Sequence, residues 1–173
     1  SRTITRNILR VAAALFLLLG SVTVYKLLTV SPGDLFQKHY TSYTLNTTRG
    51  EEATSPLELA YHNNSWSEVS TQYEAKVSKT NKDHFLGAMA SMELKRYQQA
   101  IERFNEVLNN NARTGDNYFE DEAEYSLALA YIPDDKVEEA APLLKRISAE
   151  DGHLYQQKAK DITGDDLKIL ELK

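Results

Sequence analysis

The side chains best able to do chemistry are scattered along this chain. His39, His62, His84 and His153 form neither an HExxH motif nor an i, i+4 pair, the spacing that sets two imidazoles on one helix face around a metal ion. Asp116, Glu120, Asp121, Glu122 and Glu124 form an acidic cluster, but it lacks the alternating ligands and central glycine of a calcium loop. Acids at the start of a helix are accounted for by the positive end of the helix dipole. The absence of cysteine removes disulfides, thiolate zinc sites and cysteine nucleophiles together. No GxSxG elbow, phosphate-binding loop or dinucleotide fingerprint is present. The expectation is a protein that is not an enzyme and takes no metal and no cofactor.

Charge points the same way. The net charge is -5, yet Arg2, Arg6 and Arg10 all precede the first acid, Asp34. The remainder is therefore more acidic than the whole, which argues against nucleic acid as a partner. A length of 173 residues with 42% hydrophobic and 26% charged side chains accommodates one folded domain plus an anchor.

Residues Val11 to Val30 supply the anchor, since a helix of about twenty residues crosses the hydrocarbon core. Eleven of the twenty are Val, Leu or Phe and only Lys26 is charged. The apolar side chains contribute about -3 to -6 kcal/mol to insertion, against about 3 kcal/mol for a lysine at the centre. Lys26 stands near one end, where it can snorkel. A cleavable signal peptide is the rival reading, but SVTVYKLL offers no small-x-small site. The positive-inside rule places the arginine-bearing end in the cytoplasm and the rest on the far side of the membrane.

Residues 31–55 read as a juxtamembrane helix, capped by Asp34 and starting at Leu35, followed by a polar linker. From Ser55-Pro56 onward, a cap followed by proline at the first helical position, the pattern is one of helix pairs. Helices are expected near 56–63, 66–78, 83–94, 97–109, 118–132, 136–148 and 153–162, with a loop over 109–118. The second helix of each pair repeats a large, small, large set: Trp66, Val69, Tyr73; Tyr97, Ala100, Phe104; Val137, Ala140, Leu144. Spacings of three and four put each set on one face, and the small residue lets a neighbouring helix approach. Such pairs hide their stripes only by stacking on one another.

This pattern resembles the tetratricopeptide repeat (TPR) family over residues 56–150. The third pair matches best, through Leu127, Ala128, Tyr131, Val137, Ala140, Leu144 and Ile147; the second matches through Tyr97, Ala100, Ile101, Phe104 and Val107. The intervals from Trp66 to Tyr97 and from Tyr97 to Val137, 31 and 40 residues, depart from the family's period of about 34. With LFQKHYTSYTLNTTRG and LYQQKAKDI added, the chain resembles a group of single-span inner-membrane TPR proteins of Bacteroidetes. The resemblance implies an all-α fold: a basic N-terminus and transmembrane helix (1–30), a juxtamembrane helix and linker (31–55), then about three helix pairs and a capping helix (56–173). It also implies a bacterial inner-membrane location with a periplasmic array. The family's register puts Glu58, Tyr61, Phe85, Met89, Met92, Tyr125 and Leu129 on a concave, partner-binding groove. The function expected is a scaffold for protein partners, as an accessory subunit of a membrane complex. The alternatives are an anti-sigma-like transmembrane regulator and a subunit of a protein-translocation machine.

Overall fold

A computed structural model describes residues 17, 18, 20–22, 24–45 and 55–173, and every regular element among them is helical. In chain order these are α1 (Pro32–His39), α2 (Pro56–His62), α3 (Trp66–Ala75), α4 (Asn81–Glu93), α5 (Tyr97–Thr114), α6 (Glu120–Tyr131), α7 (Val137–Ala149), α8 (Gln156–Ile162) and α9 (Asp165–Leu170). Before α1, the described residues between 17 and 29 are also helical. Much of the expected span, residues 11–16, 19 and 23, lies outside the described residues. Among the described residues no helix is long and apolar enough to cross a membrane. Those that belong to the expected span nevertheless present Leu17, Leu18, Val22, Val24, Tyr25 and Leu28 to the surroundings.

From α2 to α8 each helix packs chiefly on its neighbours in sequence, giving a row of helical hairpins. The first helices of successive hairpins also touch, α2 with α4 and α4 with α6. The three hairpin turns share one backbone solution. Asn64, Lys95 and Asp135 each adopt positive φ, at 54°, 56° and 61°. In every case the next residue's N–H bonds to the carbonyl five residues back: Ser65 to Ala60, Arg96 to Ser91 and Lys136 to Tyr131. This closure satisfies carbonyls that the ending helix leaves free and reverses the chain within a few residues. A non-glycine residue in the left-handed region is a local cost, repeated here three times at the same place in the hairpin.

The repeated triplets of the second helices form the seams. Val69, Ala100 and Ala140 have no exposed surface, nor do Phe104 and Leu144, so the small residues sit where neighbouring helices come closest. Between α3 and α4 the approach is tighter still. A Cβ at Gly87 would stand 2.7 Å from Cδ2 of Tyr73. That ring is pinned by the Arg103 guanidinium, 4.1 Å from its centroid, and by a 2.9 Å hydrogen bond between its hydroxyl and Nδ1 of His84.

Ser55 caps α2 through Glu58 N–H, with Pro56 at the first position. Two local expectations are corrected. Ser31, not Asp34, caps α1, its hydroxyl accepting from Asp34 N–H, so the helix starts at Pro32. The expected loop over 109–118 is helical as far as Thr114, where Gly115 closes α5 at φ 77°. Asn111 explains the extension: it is buried, accepts from Asn81 Nδ2 at 2.6 Å and donates to the Tyr118 carbonyl at 3.1 Å. Helix α9 lies beyond the elements read from sequence. It packs on α1 and α7, and Asp166 faces Lys26 at 3.8 Å and Lys38 at 3.6 Å.

Candidate functional site

The face of the array made by the first helices, α2, α4 and α6, with α8 beside them, is covered by the chain itself. Helix α1 packs against α6, α8 and α9, burying Leu35 and Phe36. The chain then leaves the helix and runs without regular structure through residues 40–45 toward α2. Tyr40, Tyr43 and Leu45 are half-buried and Thr41, Ser42 and Thr44 exposed.

Two tyrosine hydroxyls of the array hold the segment and the end of α1 that leads into it by one carbonyl each. Tyr61 Oη donates to the Tyr43 carbonyl at 2.8 Å, and Tyr125 Oη reaches the His39 carbonyl at 3.4 Å. Tyr40 Oη donates in the opposite sense, to Glu93 Oε1 at 2.8 Å. The Tyr43 ring stands edge-on to Phe85, centroids 4.9 Å apart, and edge-on to Phe119 at 6.3 Å. Phe85 and Phe119 stack at 4.6 Å, forming an aromatic wall whose face accepts the tyrosine edge. Burial raises the Tyr40, Tyr61 and Tyr125 phenols well above the usual tyrosine range, Tyr40 further through its bond to Glu93. All three therefore stay protonated donors.

The seven residues that the family's register assigned to the groove are all buried. Tyr61, Phe85, Met89, Tyr125 and Leu129 come together along the segment, by ring contact, by hydrogen bond or by lining the pockets beside it. Glu58 stands apart from that set, its carboxylate 2.8 Å from Lys82 Nζ, and Met92 is enclosed in the core. Sequence reading missed Glu93, Phe119 and Tyr155, and above all the segment itself. The signal was present as Phe36, Tyr40, Tyr43 and Leu45, apolar and aromatic residues in a stretch otherwise polar.

Two pockets flank the segment. One, of about 180 Å³, is lined by Thr41, Met89, Ser126, Leu129, Tyr155 and Lys158 among others. The second, of about 260 Å³, lies between Ser42–Leu45 and Tyr61, His62 and Asn64. Among the described residues no group of three or more His, Asp or Glu side chains is arranged to hold a metal ion.

Two histidines couple the fold to pH, His39 at the end of α1 and His84 at the seam of α3 and α4. His39 ends α1 with a buried Nε2 that has no hydrogen-bond partner. Burial first, and then Lys38, lower its pKa against the opposing pull of Asp161 and Asp166. Burial likewise lowers His84, Glu106 and Asp83 opposing and Lys79 and Arg103 assisting. A histidine with a depressed folded pKa favours the folded state while neutral. That contribution is complete above the ordinary value of 6.5 and is lost as pH falls from there through the folded value. The melting temperature is expected to hold between pH 8 and 7 and to fall between about 6.5 and 5, above the range where carboxylates titrate. His39→Gln and His84→Gln should each flatten that fall; a profile unchanged in both would contradict the assignment.

No protein-family model matches the chain, and neither the curated proteins nor the solved structures contain a significant match.

Proposed function

We propose that this chain is a membrane-anchored adaptor with a TPR-like array, held by Val11–Val30 in a bacterial inner membrane with its N-terminus cytoplasmic. Its periplasmic array binds an extended protein segment on the concave face and serves as an accessory subunit of a membrane complex. The observation that carries the reading is the seat described above: phenol hydroxyls aimed at backbone carbonyls and an aromatic wall for a side chain, with an extended stretch of polypeptide already in place. Backbone-directed donors give affinity for any extended chain, and pockets for alternate side chains give selectivity. The anchoring half is supported by the apolar side chains exposed on the helical residues that precede α1 and by the arginines before them.

A second reading, the transmembrane regulator, draws on one specific observation. The segment in the groove continues directly through α1 to Val30, so a change at the groove reaches the membrane helix without an intermediary.

Photo-crosslinking in intact membranes tests the adaptor reading. A photoreactive residue at Lys158, beside the segment, should yield a discrete adduct with a second protein. The same probe at Glu102, exposed on α5, should not. Identical patterns from both positions would overturn the reading.

A further inference from the structure

Residues 40–45 sit in the groove as a ligand does, and α1 sits against the array as a core element does. Helix α1 is anchored by Leu35 and Phe36, both closed off from solvent. Residues 41–45 have no backbone–backbone hydrogen bond to the array among the described residues. They are held by one side-chain hydroxyl, that of Tyr61, on the Tyr43 carbonyl and by the Tyr43 ring, while Tyr125 and Glu93 hold the junction with α1 at the His39 carbonyl and the Tyr40 hydroxyl. Thr41, Ser42 and Thr44 stay exposed, and pockets of about 180 and 260 Å³ remain on either side. Protein interiors are filled to crystal-like density, and the helical core of this array is, with Phe85, Phe104, Leu144 and Ile147 fully enclosed. Beside the segment the packing is looser than in that core.

The seat recognises little beyond an extended backbone and two phenols three residues apart. Glu93 reads the first hydroxyl, and the Phe85–Phe119 wall reads the second ring. We propose that the concave face is a binding site for an extended Tyr-x-x-Tyr segment, that Tyr40–Leu45 is its resident copy, and that a partner segment of this chemistry binds by displacing it. This rests on the adaptor reading and adds its regulation. A tethered occupant competes at a high effective concentration, so the affinity seen by a partner falls by the fraction of chains whose groove is filled. Displacement also frees the His39 carbonyl from Tyr125 and unstacks Tyr40 from Phe36, loosening the C-terminal end of α1.

The test is a titration of the full chain in detergent micelles with a fluorescent, end-blocked peptide of sequence HYTSYTLN, residues 39–46. The wild-type chain should bind it weakly. The Tyr40→Ala/Tyr43→Ala chain should bind about tenfold tighter or more, because the resident loses both rings that seat it. Tyr40→Phe keeps every apolar contact and removes only the hydroxyl's hydrogen bonds, chiefly that to Glu93; it covers the case in which the double variant fails to fold, and it should bind the peptide about fivefold tighter. Equal affinity for all the folded chains would overturn displacement and leave the adaptor reading standing. No binding to any chain that shows a cooperative melt would overturn both.

Discussion

Phe85→Ala is expected to cost about 3–5 kcal/mol of stability, the range for deleting a fully buried phenylalanine whose neighbours relax only in part. Phe85 has no exposed surface and holds three rings at once: it stacks on Phe119 at 4.6 Å, meets Tyr43 edge-on at 4.9 Å and leans on Phe104 at 6.0 Å. Truncation therefore opens a cavity at the junction of α4, α5, the turn before α6 and the groove segment. Domains of this size are stable by about 5–15 kcal/mol, so the loss takes a large share of the total. Chemical denaturation should show a lower midpoint with little change in slope. Tyr118→Ala, one residue from the same wall but 65% exposed, should fall within about 0.5 kcal/mol of wild type. Similar losses from both substitutions would mean that Phe85 does not hold this junction.

The second large effect is an asymmetry across one ion pair. Arg103 Nη2 meets Glu74 Oε1 at 2.6 Å, yet the Arg103 side chain is 6% exposed and the Glu74 side chain 66%. Nη1 of Arg103 also donates to the Gly87 carbonyl at 2.9 Å and to Ser91 Oγ at 2.7 Å, and the guanidinium lies over the Tyr73 ring. Arg103→Ala abandons two buried acceptors and the ring contact, and should cost about 3 kcal/mol. Glu74→Ala removes a partner that water replaces, and should cost less than about 1 kcal/mol. Arg103→Lys should recover only part of the loss, because an ammonium lacks the planar fork that serves two directions at once. Equal costs for Arg103→Ala and Glu74→Ala would mean that the ion pair, rather than the buried fork, ties α3 and α4 to α5.

The hairpins were legible in the sequence because each hides its stripe by local rules. Trp66, Val69 and Tyr73 repeat as Tyr97, Ala100 and Phe104 and again as Val137, Ala140 and Leu144, and a spacing of three and four has one helical meaning. Ser55-Pro56 marked a helix start for an equally local reason. What escaped depends on distant partners. The run NNNART carries turn-forming composition, and it continues α5 because Asn111 finds Asn81 across the seam, a contact no window of sequence contains. The groove residues were read from family register, which aligns helices but has nothing to say about residues outside the repeats. Tyr43 and Phe85 lie far apart in sequence, and the bonds from Tyr125 to His39 and from Tyr61 to Tyr43 span 86 and 18 residues. Proximity of that kind comes from folding a linker back over an array. The linker's own pattern reveals only that some of its side chains must be covered.

The central claim is that the chain's own residues 40–45 cover the face of the array made by α2, α4 and α6. Proton–proton Overhauser contacts between the ring of Tyr43 and that of Phe85 test it most directly, since the centroids lie 4.9 Å apart, with the Phe85–Phe119 pair at 4.6 Å as an internal standard. The account predicts cross-peaks for both pairs. A clear Phe85–Phe119 cross-peak with none between Tyr43 and Phe85 would contradict it.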